Sequence, residues 1–237
     1  MSIDQTPYAE STTTTTQTGF SGAEFAENPE PRCPCLLLLD TSGSMQGAAI
    51  SQLNEGLRTF QDQLNSDPLA AKRVEVAILT FGPPTWQTDF TEAVNFQPPT
   101  LHAANSTPMG AAIREGLHRL EERKASYNAN GIVYYRPWVF LITDGAPDPS
   151  DDWRGAAQEV RTGETAGKFS FYAVGVEGAD METLTEIAPP NRGPVKLQGL
   201  NFRELFQWLS KSMRSVSTAV PGSRVELDAP GWISAQT

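Results

Sequence analysis

Residues 35–45 of this 237-residue chain have the sequence CLLLLDTSGSM. The apolar run at 35–39 does not alternate with polar residues, which is typical of a strand buried on both faces of a parallel sheet. Asp40 ends the run, and Gly43 lies in the turn that follows. From Ile50 to Leu64 apolar residues recur every three or four positions. This spacing predicts an amphipathic helix ending near residues 65–68, so a strand, a loop and a helix follow one another.

The same alternation continues along the chain. Further strands are predicted at 74–81, within 85–96, and at 139–143, 169–176 and 195–197, and further helices at 108–127, 153–165, 181–188 and 202–216. Pro98 and Pro99 close the segment at 85–96, which favours a short edge strand there. Strands that alternate with helices form a parallel sheet covered on both faces. We therefore predict a doubly wound α/β fold with a mostly parallel central sheet and one short antiparallel edge strand.

The first 31 residues differ in composition from the rest of the chain. They contain five acidic residues, no Lys or Arg, and a threonine run at 12–16. This composition predicts a disordered acidic tail at 1–31, a folded domain at 32–218, and a C-terminal extension at 219–237 whose structure the pattern leaves open. The N-terminus lacks the basic and apolar segments of a secretory signal, so we expect a cytoplasmic protein.

Charge and cysteine content exclude several classes of protein. The chain has 18 Lys and Arg against 28 Asp and Glu, a formal net charge of −10, so we expect no nucleic-acid partner. No apolar stretch approaches the roughly 18 residues that a membrane span needs, so no membrane association is expected. Cys33 and Cys35 are expected to be reduced thiols, because a bridge across one residue is strained. A lone C-x-C also lacks the further ligands of a soft-metal site.

Polar side chains follow two of the predicted strands at the point where each ends. Asp40, Ser42 and Ser44 alternate in the turn after residues 35–39, and Asp144 follows the strand at 139–143. Ligands of doubly wound sheets bind at the carboxyl ends of the strands, where the connections diverge. Carboxylate and hydroxyl oxygens suit Mg²⁺, Mn²⁺ or Ca²⁺, whereas zinc prefers His and Cys. The pattern predicts a divalent cation site, with Mg²⁺ as the first choice of ion.

The pattern Asp40-x-Ser42-x-Ser44 after an apolar strand resembles the metal-ion-dependent adhesion site of von Willebrand factor A domains. That motif adds a Thr and a later Asp, and Thr107 in NSTPMG and Asp144 in TDG fill those positions. The resemblance implies that the two serines and Thr107 touch the cation directly, while both aspartates act partly through water. It also implies that an Asp or Glu carboxylate from a protein partner completes the coordination.

Three longer segments are similar to bacterial tellurium-resistance-associated (TerY-like) A-domain proteins, which are intracellular. They are RPWVFLITDGAPDPSDDW at 136–153, FQPPTL at 96–101 and FRELFQWLSKSMRSVS at 202–217. This resemblance implies an adaptor that accompanies a Ser/Thr protein kinase and a phosphatase in a signalling module linked to tellurium, metal or stress resistance.

The threonine run has two interpretations. It is either a spacer, the usual meaning of polar low-complexity sequence, or a set of phosphorylation sites. A phosphothreonine in an acidic exposed tail would be a ligand for an Arg-lined reader such as a forkhead-associated domain. The candidate residues are Thr12, Thr13, Thr14, Thr15, Thr16 and Thr18.

Several of the polar residues also have a simpler interpretation than a cation site. Asp40 and Ser42 are also preferred helix caps, but capping one helix does not require polar residues after other strands. The other polar candidates, interpreted as helix caps or as structural and surface groups, are Asp148, Asp151, Asp152, His102 and His118.

The sequence favours a non-enzymatic protein that binds a partner in a metal-dependent way. A Mg²⁺-dependent phosphoryl-transfer enzyme would also place Asp at a strand end. The chain, however, lacks a G-x-x-x-x-G-K-[ST] phosphate loop, a G-x-S-x-G elbow, and an Asp in place of Ser42. The remaining alternative is a scaffold that binds partners without metal, for example through the proline-flanked loop at 83–86.

Overall fold

The computed structural model describes residues 2–4, 25, 27–104, 106–220 and 224–226. Its strands are β1 (Ser2–Asp4), β2 (Cys33–Asp40), β3 (Val74–Phe81), β4 (Thr85–Glu92), β5 (Trp138–Thr143), β6 (Ser170–Gly175), β7 (Val195–Lys196) and β8 (Arg224–Glu226). Its helices are α1 (Ala48–Asn65), α2 (Pro68–Arg73), α3 (Met109–Ala129), α4 (Trp153–Thr165), α5 (Met181–Ile187) and α6 (Phe202–Thr218), with a 3₁₀ turn at Gly43–Met45.

Six strands form one sheet in the order β4-β3-β2-β5-β6-β7. All neighbouring pairs are parallel except β3 with β4, which is antiparallel and lies at one edge. From β2 the chain goes first to β3 and β4 on one side and later to β5, β6 and β7 on the other. The connections therefore diverge between β2 and β5, and the predicted doubly wound, mostly parallel fold is confirmed.

Helices cover both faces of the central strands. Along β2, Leu37 and Leu39 pack with α1 and α6, whereas Leu36 and Leu38 pack with α3 and α4, and all four leucines are fully buried. The run at 35–39 lacks polar residues because neither face of this strand meets water. Cys33 and Cys35 are free thiols, and burial raises the pKa of both, which keeps them unreactive.

Helix α2 was not predicted from the sequence. Asp67 caps it by accepting hydrogen bonds from the backbone N–H groups of Leu69 and Ala70 at 2.9 and 3.1 Å, and Pro68 occupies the first turn. Asn65 and Pro68 were interpreted as the end of α1, but Asp67 followed by Pro68 is also a helix start signal. Over the described ranges, no helix is both long and apolar enough to cross a membrane.

Both chain ends contain structure that the sequence pattern does not reveal. Strands β1 and β8 pair antiparallel, with Ser2 opposite Glu226. Phe25 is buried against the ring of Tyr127, and Asn28 Nδ2 donates hydrogen bonds of 2.8 Å to Lys72 O and to a carboxylate oxygen of Glu92. Packing thus extends N-terminal to residue 32, where the domain was predicted to begin. The three-part division of the chain stays a prediction.

A buried charge cluster lies at the amino ends of the central strands, opposite the predicted cation site. Glu75 Oε1 is 2.9 Å from Arg32 Nε and 2.7 Å from Arg123 Nη2, and Tyr127 donates its hydroxyl hydrogen to Glu75 Oε2. All four side chains are fully buried. The cluster connects β3 to α3 and to the residue before β2.

Candidate metal centre

Asp40 and Thr143 lie side by side at the carboxyl ends of β2 and β5. The strand register pairs Leu39 with Ile142, which places the two following residues next to each other. The Thr143 hydroxyl donates a hydrogen bond to Asp40 Oδ2, and the Ser42 N–H donates one to Asp40 Oδ1 at 2.8 Å. Since Asp40 and Thr143 are both fully buried, these contacts hold the carboxylate in one orientation.

Ser42, Ser44 and Asp144 form a short chain of oxygens beside Asp40. The hydroxyl oxygens of Ser42 and Ser44 are 3.0 Å apart, and Ser44 donates a hydrogen bond of 2.7 Å to Asp144 Oδ1. Ser42 is buried, whereas Ser44 is exposed. The turn after β2 and the loop after β5 are therefore in direct contact, as their positions in the predicted sheet indicated.

Thr107 comes from a third loop, which Asp148 and Asp151 hold against the loop after β5. The Thr107 N–H donates to Asp148 Oδ1 and the Asp148 N–H donates to Thr107 O, both at 3.0 Å. The Asp151 carboxylate accepts hydrogen bonds from the N–H groups of Gly110 and Ala111 at the start of α3. These contacts between loops place Thr107 next to the β2 and β5 ends.

Oxygens from the three loops converge around Gly145. A methyl group on Gly145 would lie 3.8 Å from Ser44 Oγ and 3.9 Å from both Asp40 Oδ2 and Thr107 Oγ1. Thr107 is only 8% exposed, and its hydroxyl makes no hydrogen bond within the described part of the chain. The hydroxyl oxygen itself is not fully enclosed, so a cation between the loops can reach it.

The electrostatics of the site also suit a cation. Burial raises the pKa of the Asp40 carboxyl above its usual value; hydrogen bonds from Ser42 and Thr143 oppose this shift, and the charge of Asp144 adds to it. Among the described residues, no Lys or Arg forms an ion pair with either carboxylate. A divalent cation would favour the charged form of both acids.

The donor set fits a hard cation. Its atoms are carboxylate and hydroxyl oxygens, the ligands of Mg²⁺, Mn²⁺ and Ca²⁺. The described residues contain no group of three or more His, Cys, Asp and Glu side chains placed to hold a metal. Any metal site at this edge therefore needs the hydroxyl groups as well as the two carboxylates.

The roles of Thr143 and Asp148 were not predicted from the sequence. Thr143 ends an apolar strand, and its contact with Asp40 depends on which strand is adjacent. Asp148 was interpreted as a cap of the following helix, but it holds the Thr107 loop instead. Asp152 does cap α4, as predicted, by accepting from the Gly155 N–H at 3.2 Å. Asp151 differs from the prediction because it caps α3.

The two histidines contribute nothing to the oxygen cluster. His102 is exposed, and the His118 side chain is 73% exposed with Nε2 3.5 Å from a carboxylate oxygen of Glu122. Their interpretation as surface groups agrees with these positions.

We expect Thr143→Val to weaken Mg²⁺ binding by about tenfold, the lower end of the usual effect of removing a group that orients a metal ligand. Valine has the same shape but leaves Asp40 Oδ2 and the Gly145 N–H without the Thr143 hydroxyl. Isothermal titration calorimetry with MgCl₂ measures the affinity. Thr80→Val is the matched control, because Thr80 bonds within the β3–β4 hairpin. Equal affinities of the two variants would remove Thr143 from the site.

We expect Gly110→Ala to destabilise the fold by about 2 kcal/mol, the usual range for overpacking. The added methyl group would lie 2.6 Å from Trp153 Cα and 2.8 Å from Trp153 N, and backbone atoms at a helix crossing cannot move aside easily. Gly193→Ala is the control, since no atom lies within 4 Å of its added methyl group. Urea unfolding curves compare the two variants, and similar midpoints would contradict close packing at Gly110.

The fold and its oxygen-lined edge define an α/β domain with a candidate cation site at the carboxyl ends of the central strands. Residues 36–205 match the family model of the von Willebrand factor type A domain. Because this match spans more than half of the chain, the chain belongs to the von Willebrand factor type A domain family. A comparison with curated proteins finds no match.

Several solved structures share this fold. The pilus adhesin SpaC from Lactobacillus rhamnosus GG, in its open conformation, aligns with a TM-score of 0.61 at 14% identity, over 80% of this chain and 31% of the adhesin. The proximal thread matrix protein 1 from the mussel byssus aligns with a TM-score of 0.54 at 14% identity, over 79% of this chain and 49% of that protein. The vWF domain of a type V pili tip protein from Porphyromonas gingivalis aligns with a TM-score of 0.54 at 11% identity, over 81% of this chain and 98% of that domain.

These similarities concern the fold alone, because the identities are low. The chain spans less than half the length of the mussel protein and about a third of the adhesin. The similarity therefore does not carry the activity of those longer proteins over to this chain.

Proposed function

We propose that the chain is a metal-dependent protein-interaction module that binds rather than transforms its partner. The side chains that would hold the cation are Asp40, Ser42, Ser44, Thr107 and Asp144. Mg²⁺ is the cation that we propose first, with Mn²⁺ or Ca²⁺ as alternatives. The observation that carries the proposal is that oxygens of Asp40, Ser44 and Thr107 meet beside Gly145 while Ser44 donates a hydrogen bond to Asp144.

The proposed output is the capture of a protein partner through an Asp or Glu carboxylate. A bound cation provides a strong positive point charge on an otherwise negative edge, and the family resemblance implies a coordination position for the partner. The pilus adhesin that shares this fold is named for adhesion, which supports an interaction role for this chain.

The proposal predicts that Mg²⁺ binds to the metal-free protein and stabilises it. A ligand that binds only the folded state at about 100 times its Kd stabilises by about 2.7 kcal/mol, so the melting temperature should rise by several degrees. Calorimetry with MgCl₂, and thermal melting with and without a chelator, test this. The absence of both heat and stabilisation with Mg²⁺, Mn²⁺ and Ca²⁺ would contradict the proposal.

We further propose that this module acts in the cytoplasm as an adaptor between a Ser/Thr kinase and a phosphatase, in a system linked to tellurium or stress resistance. The similarity of residues 96–101, 136–153 and 202–217 to TerY-like proteins supports this. Affinity capture with the tagged chain, in Mg²⁺ and in chelator, would identify such enzymes by mass spectrometry if the adaptor role is correct.

Phosphorylation of the threonines at 12–16 and 18, read by a forkhead-associated domain, remains part of this proposal. These residues lie outside the described part of the chain. Incubation with the kinase, followed by phosphosite mapping, tests it, and modification confined to residues 32–218 would contradict it.

One observation favours the alternative of a scaffold that binds without metal. The hydrogen bonds from Ser44 to Asp144 and between Ser42 and Ser44 give these groups partners in the absence of a cation. The metal titration above separates the alternatives, because a scaffold of this kind would capture its partner equally well in chelator.

A further inference from the structure

Five loops at the carboxyl edge of the sheet contain no Lys or Arg, and two of them, 144–152 and 176–180, contain six acidic residues. They are residues 41–47, 82–84, 101–108, 144–152 and 176–180. Four of them follow β2, β3, β5 and β6 directly, and the remaining loop joins them through a hydrogen bond of 2.8 Å from the Ala104 N–H to Thr41 O. Their acidic residues, with Asp40 at the end of β2, are Asp40, Asp144, Asp148, Asp151, Asp152, Glu177 and Asp180.

Basic side chains near this edge neutralise little of its charge. Arg114 on α3 is 2.5 Å from a carboxylate oxygen of Asp152 and 2.8 Å from one of Glu159. Arg154 at the start of α4 is 3.4 Å from Glu186. Lys196 ends β7 opposite Gly175, so its backbone lies next to the start of the loop 176–180, and it forms no ion pair within the described ranges. Within the part of the chain that the structure describes, this edge thus keeps several carboxylates that form no ion pair.

Apolar contact offers little to a partner at this edge. The exposed large hydrophobic side chains of the described residues are Val94, Val133 and Val220, and none lies in these loops. Affinity for a partner there must come mainly from charge and hydrogen bonding.

The Thr107 hydroxyl shows where on this acidic edge a ligand would bind. Thr107 is 8% exposed as a residue, and its hydroxyl faces the space beside Gly145 without a hydrogen-bond partner in the described residues. A divalent cation there would offset two negative charges, and the surrounding loops would stay negative. A partner carboxylate is therefore attracted by the cation and repelled by the loops around it.

We propose that the partner presents its carboxylate flanked by Lys or Arg, so that its basic side chains meet the acidic loops while the carboxylate meets the cation. This proposal rests on the metal-dependent function proposed above and specifies the partner. Glu177 is a suitable contact for such a basic side chain, because it is exposed and makes no ion pair within the described ranges.

Three short synthetic peptides test the proposal, each with one central aspartate flanked on both sides by lysine, by serine or by glutamate. Binding to the full chain is measured by fluorescence anisotropy in MgCl₂ and in chelator. We expect the lysine-flanked peptide to bind about fivefold more tightly than the serine-flanked one at low ionic strength. The preference should shrink at about 1 M salt, where charges are screened beyond about 3 Å.

Two variants of the chain test whether the lysine preference comes from the acidic loops. Glu177→Gln should reduce the lysine preference about twofold, whereas Asp62→Asn, which removes an exposed acid near the other end of α1, should leave it unchanged. Mg²⁺-dependent binding without a lysine preference would overturn this inference alone. The absence of Mg²⁺-dependent binding for every peptide, or lysine-flanked binding that persists in chelator, would overturn both this inference and the metal-bridged function.

Discussion

Asp144→Ala is expected to lower the affinity for Mg²⁺ by at least about 100-fold and to abolish metal-dependent partner capture. The number of charged ligands tunes the affinity of hard-cation sites over several orders of magnitude, and this substitution removes one of the two carboxylates. Asp144 accepts a hydrogen bond from the exposed Ser44 and forms no ion pair in the described structure. The metal-free fold should therefore lose less than about 1 kcal/mol.

Calorimetry with MgCl₂, and melting with and without Mg²⁺, measure these two effects separately. Asp62→Asn is the control for the loss of one exposed acid. We expect the metal-free variant to melt near the wild-type temperature and to gain no stability from Mg²⁺. Wild-type Mg²⁺ affinity in Asp144→Ala would exclude Asp144 from the site.

Glu75→Ala is expected to have the largest effect on stability, a loss of about 3–5 kcal/mol in the free energy of unfolding. The carboxylate of Glu75 contacts the guanidinium groups of Arg32 and Arg123 and the Tyr127 hydroxyl, and all four side chains are fully buried. Its removal takes the shared acid from two buried guanidinium groups, of which Arg32 keeps an ion pair of 3.1 Å with Glu92. The desolvation of the two charges is then compensated only in part, which costs more than an ordinary lost contact.

Urea unfolding measures this loss. Glu121→Ala is the matched control, since Glu121 is a half-exposed acid paired with Lys124 on the same helix as Arg123, and it should change stability by less than about 0.5 kcal/mol. Glu75→Gln keeps the shape and removes the charge, so it supplies a second measurement if Glu75→Ala does not fold. A loss below about 1 kcal/mol in both Glu75 variants would contradict the importance of the cluster.

Apart from the short helix α2, the helices and the strands of the central sheet were predictable because each has a local signal. The apolar run at 35–39 and the strand at 74–81 are buried on both faces, and α6 shows its apolar face every three or four residues. The pairing of β1 with β8 has no such signal, because the sequence of a three-residue strand does not indicate which distant segment it pairs with. The same reason explains why the contacts of Phe25 and Asn28 were missed.

The candidate site was predictable only in part. The spacing of Asp40, Ser42 and Ser44 lies within one turn, and Asp144 follows a strand that the fold class places nearby. Thr143 and Asp148 were missed because their roles depend on neighbours about a hundred and about forty residues away in the sequence.

The sequence by itself determined the order of strands and helices and the types of oxygen ligand available, because burial and spacing are properties of consecutive residues. Only the tertiary structure decided that Thr107 and Asp40 lie around the same glycine and that Thr143 orients Asp40. It also decided that Glu75 is shared between two arginines. These contacts join residues from separate loops and elements, and their distances follow from strand order and helix packing.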